Sequence, residues 1–149
     1  MHIVHVEDEK PLKEILKVAM QAADPQINLR QFSTADEAII DMQQNLENVD
    51  LVILDIRLPG TLDGVQAAEL LRDMKYNAYI ILTSAYSRPT FDVLDRLNTE
   101  FYAKPWHIID VTTKMLQLKH ALFQKRLKQS DKATSGDSEK PSTDHDEKV

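Results

Sequence analysis

The chain has 149 residues, a length that favours one domain, and its 42% hydrophobic and 28% charged fractions are ordinary for a soluble globular protein. Its net charge of −6 argues against direct nucleic-acid binding, because nothing here neutralises a row of phosphates, and the count of Cys 0 removes disulfides, thiolate chemistry and cysteine metal sites. No apolar stretch approaches the roughly 18 residues of a membrane span, and the opening MHIVHVEDEKP lacks a signal-peptide pattern, so the expectation is a cytoplasmic chain with no membrane partner.

Strand-like and helix-like segments alternate five times. His2–Val6 is a short β-branched run, after which Pro11 opens a helix at its first position, where a missing N–H is harmless. Leu12, Ile15, Leu16, Ala19 and Met20 recur at helical spacing and are expected to form its buried face. Asn28–Phe32 is the second strand, and Thr34-Ala-Asp-Glu37 fits a capping box leading into Ala35, Ala38, Ile39 and Met42. Residues 50–54 form the third strand: Leu51-Val52-Ile53-Leu54 is too apolar for a half-exposed strand and suits one buried on both faces. It ends on a carboxylate, Asp55, before the break at Pro59 and Gly60.

A helix over 64–74 follows, carrying Val65, Ala68, Leu70 and Leu71; then strand 79–82 with Thr83 just past its end. A weaker helix from near Pro89 carries Phe91, Leu94 and Leu97, and strand 100–103 precedes Lys104-Pro105-Trp106 and the longest helix. Five βα units with short connections imply a doubly wound parallel sheet with helices on both faces. From Gln129 the chain becomes rich in Ser, Thr, Asp and Lys, too polar to offset its ordering entropy, and is expected to be disordered. Six basic and six acidic residues from Lys125 onward cancel, so the net charge belongs to the folded part.

Parallel strands bring their carboxyl ends to one edge, where ligands bind in such sheets. Glu7 and Asp8, Asp55, Thr83 and Lys104 each fall at that edge. Carboxylate pairs about 4 Å apart repel by roughly 1 kcal/mol in water and about 4 at an effective dielectric of 20, a cost that a bound cation relieves. All-oxygen donors favour Mg²⁺, with Mn²⁺ as the other candidate.

These residues carry a resemblance. Glu7-Asp8, LDIRLPG…DG around Asp55, LTSA at Thr83 and Lys104-Pro105 together resemble the receiver domain of two-component response regulators, with Thr83 28 residues after Asp55 and Lys104 21 after Thr83. The resemblance runs to about residue 124. It implies a flavodoxin-like (βα)5 fold with strand order 2-1-3-4-5, over residues 1–128, with 129–149 as a tail or linker. It implies that Asp55 accepts a phosphoryl group from the phosphohistidine of a sensor histidine kinase or a histidine phosphotransfer protein. Asp8, Asp55 and the backbone carbonyl of Arg57 would hold the metal, with Glu7 acting through a metal-bound water. Lys104 and the Thr83 hydroxyl would meet the phosphoryl oxygens, and the Lys104-Pro105 bond would be cis. Such a domain is a phosphoacceptor switch that takes part in its own phosphoryl transfer and dephosphorylation rather than an enzyme.

Two rivals fit less well. A haloacid-dehalogenase-type phosphatase needs a second Asp two residues after the first, where this chain has Arg57, and a flavodoxin-like cofactor domain needs a Gly/Ser/Thr-rich loop where it has Glu7-Asp8-Glu9. No G-x-G-x-x-G supports a Rossmann enzyme. The departures from the receiver pattern are local. LPGTLDG has one residue more than usual before Asp-Gly, and Arg57 sits where a side chain borders the water route to the acyl phosphate. The aromatic switch falls at Phe101 by register, with Tyr102 as the alternative.

The last helix carries two apolar stripes: Ile108, Val111, Met115, Leu118 and Leu122 at 3-4 spacing, and Ile109, Leu116 and Phe123 every seven residues. One faces the sheet; the other suits a downstream protein partner or a homodimer through the helix 4/strand 5/helix 5 face. Two functions follow: a stand-alone phospho-switch, or an N-terminal regulatory module of a longer protein with an effector domain after residue 129.

Overall fold

The computed structural model describes residues 1–45, 48–86 and 88–135. Ten elements alternate: β1 His2–Val6, α1 Lys10–Ala23, β2 Asn28–Phe32, α2 Ala35–Gln44, β3 Leu51–Asp55, α3 Gly64–Asp73, β4 Tyr79–Ser84, α4 Phe91–Leu97, β5 Thr99–Ala103 and α5 Ile108–Thr134. The strands are all parallel and lie in the order β2-β1-β3-β4-β5, the expected topology. Two compact units divide the chain, Met1–Met115 and Leu116–Val149. The first holds the sheet; the second holds the rest of α5, which runs through Gln129 to Thr134. Most of the stretch expected to be disordered, residues 136–149, lies outside the described residues.

Central β3 is buried at all five positions, as a strand covered on both faces must be. Side chains alternate across it. Val52 and Leu54 join Val4, Val6, Ile80 and Leu82 in one core with Ala38, Met42, Ala68, Leu71, Leu94 and Leu97 from α2, α3 and α4. Ile3, Leu51, Ile53 and Ile81 fall on the opposite face, and Leu16 and Met20 of α1 and Val111 and Met115 of α5 are buried with them. Ile15 of α1 and Phe91 of α4 are instead exposed, the latter at 74%: each lies about 100° around its helix from the stripe that packs.

Two elements run longer than their apolar runs. β3 includes Asp55 and β4 reaches Ser84, because ladder pairing continues through Asp55↔Thr83 and Ser84↔Ala103 whatever the side-chain polarity. At α2, Thr34 accepts from the Glu37 N–H, one half of the expected box. The complete capping box is at α3, where Asp63 accepts from Gln66 N at 2.8 Å and Gln66 accepts from Asp63 N at 2.9 Å; its Asp-Gly-Val-Gln spelling is a readable signal. Arg72 leaves α3 to donate to the carbonyls of Tyr76, Ala78, Leu97 and Asn98 at 2.7 to 3.0 Å. It joins the end of α3, the start of β4 and the end of α4, where Asn98 adopts the left-handed conformation (φ 49).

Candidate functional site

Glu7 follows β1 directly, its N–H donating to the Phe32 carbonyl at 3.0 Å, and its side chain is buried. Asp8 comes next and is exposed. Asp55 closes β3, 6% exposed, beside buried Thr83 of β4. Lys104 follows β5, its N–H bonded to the Ser84 carbonyl at 2.8 Å, and the Lys104-Pro105 bond is cis. One sheet edge thus brings all five predicted residues together.

The lysine is the centre of the cluster. Its Nζ donates to Glu7 Oε2 at 2.6 Å and to Asp55 Oδ2 at 2.9 Å. Burial works against its charge, but these bonds outweigh it and hold the ammonium above its usual range. Burial pushes the Glu7 carboxyl above the usual carboxylate range; the bond from Lys104 opposes this and the Asp55 charge adds to it. The like-charge crowding expected from three carboxylates is therefore already compensated in part by Lys104, a pairing with Glu7 that the sequence reading missed. His5, one turn of the pleat earlier in β1, is pushed down to about 3 by burial and then by the charges of Lys104 and Lys13, and its Nδ1 accepts from Gln31 Nε2 at 3.1 Å.

The remaining oxygens are held by backbone. Glu7 Oε1 accepts from Glu9 N at 3.2 Å and Asp55 Oδ1 from Arg57 N at 3.3 Å. Glu7, Asp8 and Asp55 each offer a carboxylate oxygen within 4.8 Å of the others. Hard oxygen donors at this separation, one side of the group open to solvent at Asp8, fit a small divalent cation that keeps part of its water shell.

The loop after β3 is tied to α2. Gly60 (φ 98) turns the chain, and Thr61 then bonds to Asp36 at the start of α2, through its N–H at 3.1 Å and through its hydroxyl. Gly64 opens α3 against the site: a Cβ there would stand 2.2 Å from the Asp55 carbonyl oxygen. No side chain fits, so the Asp-Gly pair both caps α3 and lets it seat on the backbone of Asp55. Arg57 is exposed, and its guanidinium lies 3.5 Å from the centre of the Tyr86 ring, joining the loops after β3 and β4 by a cation–π contact.

The two candidate switch aromatics part company by strand alternation. Phe101, paired with Leu82, packs against the core on the α4 side and lines a cleft of about 350 Å³ with Phe91, Leu94 and Asn98. Tyr102, paired with Thr83, falls on the other face, where burial and then the Glu100 charge raise its phenol pKa.

A doubly wound α/β domain with an acid–lysine cluster at the carboxyl edge of its sheet is the class that fold and site define together. Residues 3–115 match the family model of the response regulator receiver domain. The chain belongs to that family, the receiver domains of two-component systems, which are signalling switches rather than classical enzymes. Among solved structures, the response regulator TrrA of Thermotoga maritima, in complex with Mg²⁺-BeF, is 31% identical, with 78% of this chain and 97% of that one covered and a TM-score of 0.66. The N-terminal domain of an uncharacterized Wolinella succinogenes protein is 23% identical (84% and 98% covered, TM-score 0.74). The response regulatory domain of mrkE from Klebsiella pneumoniae is also 23% identical (83% and 99%, TM-score 0.72). These two likenesses speak for the fold. No curated protein matches the chain. No described helix is long and apolar enough to cross a membrane.

Proposed function

We propose that the chain is a phospho-switch in which Asp55 takes a phosphoryl group from the phosphohistidine of a sensor histidine kinase or a histidine phosphotransfer protein. One observation carries the reading: Lys104 Nζ lies within hydrogen-bond reach of both Asp55 and Glu7 at the ligand edge of the sheet. The Asp55 carboxylate attacks phosphorus in line, the P–N bond breaks, and the imidazole leaves. Lys104 turns from Glu7 to the equatorial phosphoryl oxygens, and the Thr83 hydroxyl donates to one of them, stabilising charge where it develops. Asp8, Asp55 and the Arg57 carbonyl would hold Mg²⁺, or Mn²⁺, with Glu7 acting through water. When bound, the ion neutralises phosphoryl charge as a Lewis acid; TrrA, whose structure holds Mg²⁺-BeF, supports this choice.

Output follows from the same groups. Drawing Thr83 inward opens space that Phe101 fills, which repacks the α4–β5–α5 face and changes its affinity for a protein partner or a second copy. Residues 1–128 form the switch and 129–149 a tail or linker, to a partnered effector or to an effector domain of the same polypeptide. Asp55→Asn tests the core of the reading. Incubation with a small phosphodonor and Mg²⁺ is expected to add one phosphoryl mass to the native chain and none to the variant; equal labelling of both would refute Asp55 as acceptor.

A further inference from the structure

From Leu116 to Thr134 α5 is continuous, and among the described residues every one after Leu122 is exposed. Helices are held mainly by packing of an apolar face, and a free one shorter than about 12–15 residues is marginal in water. This stretch does carry such a face. Leu116 is 44% exposed, Phe123 58% and Leu127 45%, and His120 is exposed between them. Their steps of four, three and four residues are the alternation of a coiled-coil seam, in which they occupy positions d, a, d and a. Leu118 and Leu122 fall at f and c, on the far side of the helix, so this seam is separate from the inner stripe.

We propose that this seam pairs with the same seam of a second copy of the chain, the two helices running parallel as a short two-stranded coiled coil. The flanking charges select both the occupant and the direction. Lys119 and Arg126 stand on the g flank; Gln117, Gln124 and Asp131 stand on the e flank. In a parallel pair each g residue meets the e residue five positions further along the other helix. Arg126 then faces Asp131 of the second copy and Lys119 faces Gln124, so the two-fold produces two Arg–Asp contacts and no like-charge contact. In an antiparallel pair g meets g, and the Lys119 and Arg126 side chains of both copies crowd one another. Charge pairs of this kind set orientation and partner choice more than raw affinity. The association depends on neither Asp55 nor a metal; it deepens the second-copy reading of the α4–β5–α5 face by carrying the outer stripe of α5, Leu116 and Phe123, on through Leu127.

The absence of cysteine makes the test direct. Single substitutions Leu116→Cys and Leu127→Cys each introduce one thiol, and under mild oxidation both are expected to give disulfide-linked dimers, as only a parallel, in-register pair allows. Lys128→Cys, at the outward b position, is expected to stay monomeric. In sedimentation equilibrium the native chain should show a concentration-dependent dimer that Phe123→Glu abolishes, the unfolding midpoint of the monomer being unchanged. Arg126→Asp should weaken the dimer at least tenfold, and adding Asp131→Arg should restore it. A native chain monomeric at every concentration, a dimer indifferent to Phe123→Glu, or one strengthened by Arg126→Asp would overturn the proposal.

Discussion

Arg72 shows how much one side chain can hold. Its guanidinium serves four carbonyls, two in the connection between α3 and β4 and two at the end of α4, and hydrogen bonds from a charged donor are worth more than neutral ones. Arg72→Ala strands those oxygens and is expected to cost about 3 kcal/mol in urea unfolding; a loss below about 1 kcal/mol would mean that water replaces the donor. Glu100 is a milder case. It accepts from the Tyr79 hydroxyl, and from Lys114 Nζ at 3.0 Å. Burial raises its pKa, but those two partners outweigh burial and hold it below its usual 4.5. A depressed carboxylate adds stability above its unfolded pKa, and that share is lost as the pH falls through the folded value. The group is about a third exposed, so solvent screening limits its worth to about 0.5 kcal/mol. Glu100→Gln should cost that much at neutral pH, with the gap to the native chain closing below pH 4.5; a gap constant with pH would show that the charge contributes nothing.

Among the elements, the start of α3 is the tightest fit. Glycine is the poorest helix former after proline, and replacing Gly64 by Ala recovers at most about 1 kcal/mol of propensity. Against that stands a backbone oxygen 2.2 Å from the new Cβ, which has no side chain to move aside. Overpacking of this kind costs typically 1–3 kcal/mol, and the contact here is with rigid backbone. Gly64→Ala is therefore expected to lower stability by about 2 kcal/mol or more, measured by chemical unfolding; a stabilised variant would mean that α3 shifts freely. The sequence spelled out the existence of every element, because apolar runs of period two and stripes of period 3.6 are local signals. It misjudged Ile15, which is exposed, since the side of a helix that packs is decided by the sheet beneath it. It also did not reveal why Gly follows Asp63, because the oxygen that excludes a side chain belongs to β3.

For the whole molecule, a bound cation would add to stability. Ligand at about 100 times Kd stabilises a native state by about 2.7 kcal/mol. If Asp8→Asn weakens Mg²⁺ tenfold, the same concentration yields about 1.4. Without metal the variant should differ little from the native chain, under about 1 kcal/mol on the Coulomb scale, because Asp8 is exposed and Lys104 already offsets the buried pair. Thermal unfolding with and without Mg²⁺ reads both quantities; equal gains in the two proteins would dissociate Asp8 from the metal. The five residues of the site were legible in the sequence because topology alone delivers strand ends to one edge. The bond from Lys104 to Glu7, and the Arg57–Tyr86 contact, were not, because each joins segments whose side-chain reach only the folded geometry sets.

The hold of Arg72 on Leu97 and Asn98 has one more consequence. α4 has seven residues, its first, Phe91, is largely exposed, and its N-cap Thr90 makes no side-chain capping bond. Its far end is clasped by a guanidinium and closed by a left-handed Asn98. Opening of this helix is thus one-sided, since local unfolding starts where backbone bonds have least support. In deuterated water the amides near Phe91 should exchange first and those near Leu97 last. On this expectation α4 opens as a flap hinged at its carboxyl end, and the end expected to move is the one nearer the loop that follows Thr83.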